Sequence, residues 1–155
     1  MGCFISSRSL ALNFGMSLPK KATPSCLYWG PRYCWERYKL PISITENGLS
    51  TRDQLFLDGK VHDPQRVDYM HRVLLELSRA IKDGVPVTSY YAWSLLDNFE
   101  WADGYKQRFG IVYVDYQSQK RIPKDSYDWY KKVIASNGRN LLERGLLPAT
   151  QVTPG

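Results

Sequence analysis

Pro41-Ile42-Ser43-Ile44-Thr45-Glu46-Asn47-Gly48 is the stretch whose reading decides the rest. A short β-branched run ends in a carboxylate, an amide and a glycine, the pattern of a strand handing over to a loop that carries chemistry. Ile42 to Thr45 lack clear polar alternation and read as a strand covered on both faces, as in a parallel sheet. A carboxylate at the carboxyl end of such a strand stands where α/β folds build their sites, which makes Glu46 the candidate nucleophile.

Upstream, Thr23-Pro24 offers a helix cap with proline at the first helical position. Leu27, Tyr28, Trp29, Tyr33, Trp35 and Tyr38 follow at roughly helical spacing, with Gly30-Pro31 expected to break or restart that helix. Downstream, Asp58-Gly59 marks a turn and Asp63-Pro64 repeats the cap-plus-proline start. Val67, Met70, Val73, Leu74, Leu77 and Ile81 then define an amphipathic helix that Gly84 ends. Val85 to Trp93 reads as a second buried strand. Strand, helix and strand make a βαβ unit with parallel strands, so Glu46 and the segment Trp93 to Trp101 are expected to open onto one side.

Further on, Phe109 to Tyr116 reads as an excursion strand centred on Ile111 to Val114, and Pro123 to Ala135 as a last helix stopped by Asn137-Gly138. Three regions are expected: an atypical, poorly ordered leader over 1–22, a folded α/β body over 23–138 and a flexible tail over 139–155. Within the leader a weak apolar segment, Leu10 to Met16, falls short of a signal core.

The 155 residues suffice for one core, and 43% hydrophobic with 14% aromatic residues exclude general disorder. No apolar run approaches the ~20 residues of a membrane span, so no membrane partner is expected. The net charge of +6 comes from scattered Lys and Arg without a recognised motif, which argues against nucleic acid as a partner. Three cysteines, Cys3, Cys26 and Cys34, read as reduced thiols rather than a disulfide framework, and a cytoplasmic setting is preferred. His62 and His71 are the only histidines, so neither a metal site nor a Ser/His/Asp triad has members.

Four stretches resemble the C-terminal third of family 1 glycoside hydrolases, the β-glucosidase family. They are Ile44 to Gly48, Asp58-Gly59-Lys60-Val61-His62-Asp63, Trp93 to Trp101, and Gly104 to Asp115. They occur in family order and spacing. The resemblance implies a partial (β/α)8 TIM barrel, its C-terminal βαβ portion with strands seven and eight and flanking helices. It implies a retaining, cofactor-free hydrolase acting on a small β-glycoside, with Glu46 as nucleophile. Trp93 matches the platform on which the glycone stacks, Glu100 the carboxylate gripping its far hydroxyls, Trp101 a neighbouring donor and Phe109 a wall of that subsite. These roles make physical sense, since a sugar offers an apolar C–H face to a ring and hydroxyls to a charged acceptor. Glu100 also favours a non-phosphorylated glycone, because a carboxylate repels a sugar phosphate.

Retaining glycosidases need two carboxyls ~5–5.5 Å apart. The family's acid/base lies in an Asn-Glu-Pro segment, which does not occur here, and neither Asp97 nor Asp103 is expected to replace it. The chain is therefore expected to behave as a fragment, inactive alone, with bare strand edges. The alternative is a non-catalytic sugar-binding or assembly piece that complements a second barrel fragment.

Overall fold

The computed structural model describes residues 2–5, 10–16 and 23–142. Its elements in chain order are β1 (Gly2–Ile5), β2 (Leu10–Met16), α1 (Cys26–Tyr38), β3 (Ile42–Leu49), α2 (Pro64–Lys82) and β4 (Val87–Ala92). A short 3-10 turn (Trp101–Asp103), β5 (Val112–Val114), β6 (Arg121–Pro123), α3 (Asp125–Ala135) and a second 3-10 turn (Arg139–Leu142) complete it. The order in the main sheet is β1-β2-β3-β4, with β3 parallel to both neighbours and β1 antiparallel to β2. The strand, helix and strand inferred around Glu46 are thus β3, α2 and β4.

The expected leader over 1–22 is corrected here. Leu10–Met16 forms a strand, Leu10 pairs with Ile42 and Leu12 with Ile44, and both leucines are completely buried. The edge of β3 expected to be bare is therefore covered. Residues 1, 6–9 and 17–22 lie outside the described residues, as do 143–155, most of the expected tail. The rest of that tail folds back: Leu141 is buried and its carbonyl lies 2.9 Å from His71 Nε2 on α2.

One face of the sheet carries the core. Ile42 and Ile44 meet Leu27 and Cys34 of α1 and Met70, Val73, Leu74 and Leu77 of α2, and α3 adds Trp129 and Val133. Each of the larger apolar side chains contributes about 1.5–3 kcal/mol by leaving water. On the other face Ser43 is half-buried and Thr45 exposed. The expectation of a strand covered on both faces therefore holds for one face only, the opposite one being lined by hydroxyls such as Ser43 and Ser89, whose Oγ atoms lie 2.5 Å apart.

Helix α1 runs unbroken through Gly30-Pro31, contrary to the expected break. Proline removes one backbone bond, and Leu27, Pro31 and Cys34 compensate by packing into the core. Its N-cap is Ser25 rather than Thr23. Helix α2 follows its sequence pattern except at Ile81, which is about half exposed, while Arg66, Tyr69 and Ala80 are buried on the packed side. Gly84 ends it at φ 88°, and the Asn137-Gly138 pair ends α3 with both residues in the left-handed region and Gly138 N–H donating to Val133 O at 2.9 Å.

Candidate active site

Glu46 owes its placement to an irregularity in β3. Register along β3–β4 runs Ile44↔Tyr90 and then Asn47↔Ala92, and along β2–β3 it runs Leu12↔Ile44 and then Asn13↔Glu46. Thr45 is thus the extra residue, and the alternation of faces shifts by one position there. Before the bulge Ile42 and Ile44 face the helices. After it Asn47 and Leu49 do so, Asn47 donating from Nδ2 to the Tyr69 hydroxyl of α2 at 2.9 Å. Glu46 is consequently turned to the face of Ser43, away from the core, and is half-buried. A regular strand would have driven its carboxylate among the helices.

Asn47 joins this strand end to the next. It is fully buried, its Oδ1 accepts from the Tyr90 hydroxyl at 2.8 Å, and its carbonyl accepts from Trp93 N–H at 2.8 Å. Burial raises the phenol of Tyr69 to about 12 and that of Tyr90 well above its ordinary range, so both stay protonated around the amide. The ends of β3 and β4 are thereby held side by side, with Glu46 and Trp93 on adjoining strands.

Beyond Trp93 the chain turns through a cis Trp93–Ser94 peptide. The Ser94 hydroxyl lies 2.7 Å from Leu96 O and 2.9 Å from Asn98 Oδ1, its one proton shared between the two, and Asn98 Nδ2 donates to Glu100 Oε2 at 2.9 Å. Glu100 is half-buried at the start of the 3-10 turn, with its N–H donating to Gly104 O at 2.7 Å. Trp101 stands in the left-handed region at φ 44° and is 83% exposed. Phe109 is buried, 5% exposed, with its carbonyl accepting from Ser94 N–H at 3.2 Å, so in this chain it packs inside rather than forming an open wall.

Beneath these loops lies a buried ionic cluster that the sequence reading missed. Arg66 meets Asp63 and Asp53, Lys124 lies 2.5 Å from Asp53 and 2.9 Å from Asp97, and Arg108 lies 2.5 Å from Asp97. Three cations thus balance three carboxylates, all but Arg108 nearly excluded from solvent. Burial pushes Asp53 up, yet Arg66 and Lys124 together hold it below the usual carboxylate range. Burial and nearby Arg66 lower Lys124 against the pull of Asp53 and Asp97. Asp63, expected as the cap of its own helix, instead accepts from the N–H and hydroxyl of Ser126 in the first turn of α3, at 2.9 and 2.6 Å. The cluster bolts the loop after β3 to the loop after β4. The signal was present, since Arg66 falls on the helical stripe of Met70, Val73 and Leu77.

Asp97, one of the acids weighed as a substitute proton donor, accepts from Gly110 N–H, Val114 N–H, Arg108 and Lys124, and is fully engaged. Among the described residues no three His, Cys, Asp or Glu side chains are arranged to hold a metal ion, and no helix is long and apolar enough to cross a membrane.

A parallel βαβ core with an acid near the end of one strand and an aromatic just past the end of the next defines an α/β protein whose two strand ends lie side by side. The sequence model of glycosyl hydrolase family 1 matches residues 13–139, and the chain belongs to that family. The 1,4-beta-D-glucan glucohydrolase of Thermotoga neapolitana is 51% identical over 128 residues, covering 79% of this chain and 29% of that protein. Beta-glucosidase A of Thermotoga maritima is 50% identical over 127 residues, 78% of this chain and 28% of its own length. A solved structure of a Thermotoga maritima beta-glucosidase in complex with deoxynojirimycin superposes with TM-score 0.78 at 43% identity, over 83% of this chain and 34% of that one. The chain therefore spans less than a third of these curated relatives, and forms part of an α/β fold of the TIM-barrel type.

Proposed function

We propose that the chain carries the nucleophile and much of the glycone pocket of a retaining β-glucosidase-type hydrolase, with β3 and β4 as barrel strands seven and eight. In this reading Glu46 attacks the anomeric carbon, Trp93 stacks beneath the sugar, and Glu100 with Trp101 binds its hydroxyls. The observation that carries it is the 2.8 Å bond from Trp93 N–H to Asn47 O, which sets the strand end bearing Glu46 beside the strand end bearing the aromatic platform. The bulge at Thr45 supports the same reading by freeing Glu46 from the core.

Retention of configuration needs a second carboxyl at ~5–5.5 Å to protonate the leaving oxygen. Asp97 is consumed by its four partners and the Asn-Glu-Pro segment is missing from the sequence, so the isolated chain turns over little or no substrate. The test is release of aglycone from an aryl β-glucoside by the purified 155-residue chain. No release is expected. Turnover abolished by Glu46→Gln would overturn the proposed inactivity, and turnover indifferent to that substitution would overturn Glu46 as nucleophile.

A second reading, an assembly piece completed by a complementary barrel fragment, is favoured by one feature. On the side away from β3, β4 pairs with no strand among the described residues. Co-expression with the portion that the relatives possess beyond the matched region should then restore hydrolysis.

A further inference from the structure

A cavity of about 590 Å³ opens between the loop after β3, the start of α2 and the loop before β5, and it shares no residue with the proposed glycone pocket. Its volume lies in the range of small-molecule sites. Three of the chain's six glutamines, Gln54, Gln65 and Gln107, line it together with Thr51 and the ring of Phe56. The pairing of Thr51 N–H with Arg108 O at 3.1 Å draws Gln107 up to the opposite wall.

The charged groups at this wall are mostly spoken for. Asp53 is paired with Arg66 and Lys124 underneath, and His62 lies between Asp58 and Asp125, leaving Arg52 as an exposed cation on the lining. What faces the space is therefore a set of neutral amides, each able to donate and accept, beside a 42% exposed aromatic ring steadied edge-on by His62 at 5.1 Å. Ser50 lines the cavity at 1% exposure, and its Oγ is shielded from solvent with no hydrogen-bond partner.

We infer that this cavity is a second carbohydrate subsite, taking a neutral sugar ring through the amides of Gln54, Gln65 and Gln107 and the face of Phe56. An aromatic beside amides that both donate and accept suits a ring that is apolar on one side and hydroxylated around its rim. The chemistry disfavours phosphate or carboxylate ligands, for which a single exposed arginine is a poor match. The inference extends the proposed glycosidase reading to a further sugar unit, but its geometry does not involve Glu46.

The test is a titration of the ¹⁵N-labelled 155-residue chain with cellobiose, followed on the side-chain amides of Gln54, Gln65 and Gln107. Saturable shifts at those amides are expected at millimolar sugar, weakened about fivefold or more in Phe56→Ala and likewise in Gln65→Ala. Both side chains are exposed, and exposed Leu57→Ala serves as the control for the fold. Shifts confined to Trp93, Glu100 and Trp101, equal affinity in both variants, no saturable shift, or an equal response to inorganic phosphate would each overturn the subsite. Glu46→Gln should leave the titration unchanged, so a failure of the hydrolase reading is told apart from a failure of this one.

Discussion

A Cβ placed on Gly48 would stand 1.7 Å from the carbonyl oxygen of Trp93 and 2.8 Å from its carbonyl carbon. The two strand ends that carry the candidate site touch through backbone, with no flexible side chain in between to give way. Gly48→Ala must therefore push β3 and β4 apart at the point where Asn47 O holds Trp93 N–H. The expected cost is at least the about 1–3 kcal/mol of an overpacked core, read as a lowered urea midpoint. Gly59→Ala, with nothing within 4 Å of the added methyl but φ at 75°, separates steric crowding from backbone strain. If the two variants lose stability equally, close approach is not the reason for glycine at position 48.

The buried ionic cluster yields a second expectation. Removing Arg66 leaves Asp53 with Lys124 and the Thr51 hydroxyl, and Asp63 with the N–H and hydroxyl of Ser126, so each carboxylate loses its guanidinium partner. Arg66→Ala should destabilise by about 3–5 kcal/mol, as loss of one partner of a buried pair does. Glu36→Ala, which breaks the surface pair with Arg32 where the side chains are 58% and 36% exposed, should cost far less. Urea denaturation of the two variants under one buffer makes the comparison, and similar losses would show that the cluster is not tightly buried in solution.

How far the sequence disclosed this arrangement depends on the kind of signal each residue gives. Helix α2 was legible because Val67, Met70, Val73, Leu74 and Leu77 repeat at helical spacing between a proline and Gly84. The position of β3 was legible from its β-branched residues. Its bulge was not, because one extra residue at Thr45 leaves no mark on composition, and strict alternation assigns Glu46 to the wrong face. Strand β2 was missed because Leu10 and Leu12 alternate with Ala11 and Asn13 in a segment that also resembles a weak leader. Arg66 and Lys124 were missed because charge normally signals solvent, and only tertiary pairing with Asp53 and Asp97 makes their burial tolerable.

Stability should fall as pH rises through the titration of His62. Its Nδ1 lies 2.7 Å from Asp125 Oδ2 and its Nε2 3.0 Å from Asp58 Oδ2, and the hydrogen bond to Asp125, then that to Asp58, raises its pKa above 6.5. A histidine whose folded pKa is raised stabilises fully below its unfolded value and loses that contribution as pH climbs through the folded one. Asp58 also accepts from the backbone N–H of Lys60, which with His62 holds that carboxylate below its usual range. Raising pH from about 6 to about 8 should lower the urea midpoint of the natural chain more than that of His62→Gln. Parallel curves would mean that the two carboxylates do not hold the protonated ring.

Asn47 offers the most direct probe of how the two strand ends are held together. Its amide lies between the hydroxyls of Tyr69 and Tyr90 in a fully buried position, so Asn47→Ala removes both partners at once. Leaving buried phenols unanswered costs about 1–3 kcal/mol each, and a fall in stability of that order is expected. Tyr90→Phe alone should cost less, since it deletes one donor and leaves the Asn47 Nδ2 bond to Tyr69 in place. The double variant Asn47→Ala with Tyr90→Phe should lose less than the sum of the two, because the phenol stranded by the first change is absent in the second. That shortfall, about 1 kcal/mol for one buried hydrogen bond, is the coupling between β3 and β4 through this amide. Strict additivity in urea denaturation would show that Tyr90 and Asn47 do not interact, and the alignment of Glu46 with Trp93 would then rest on backbone pairing alone.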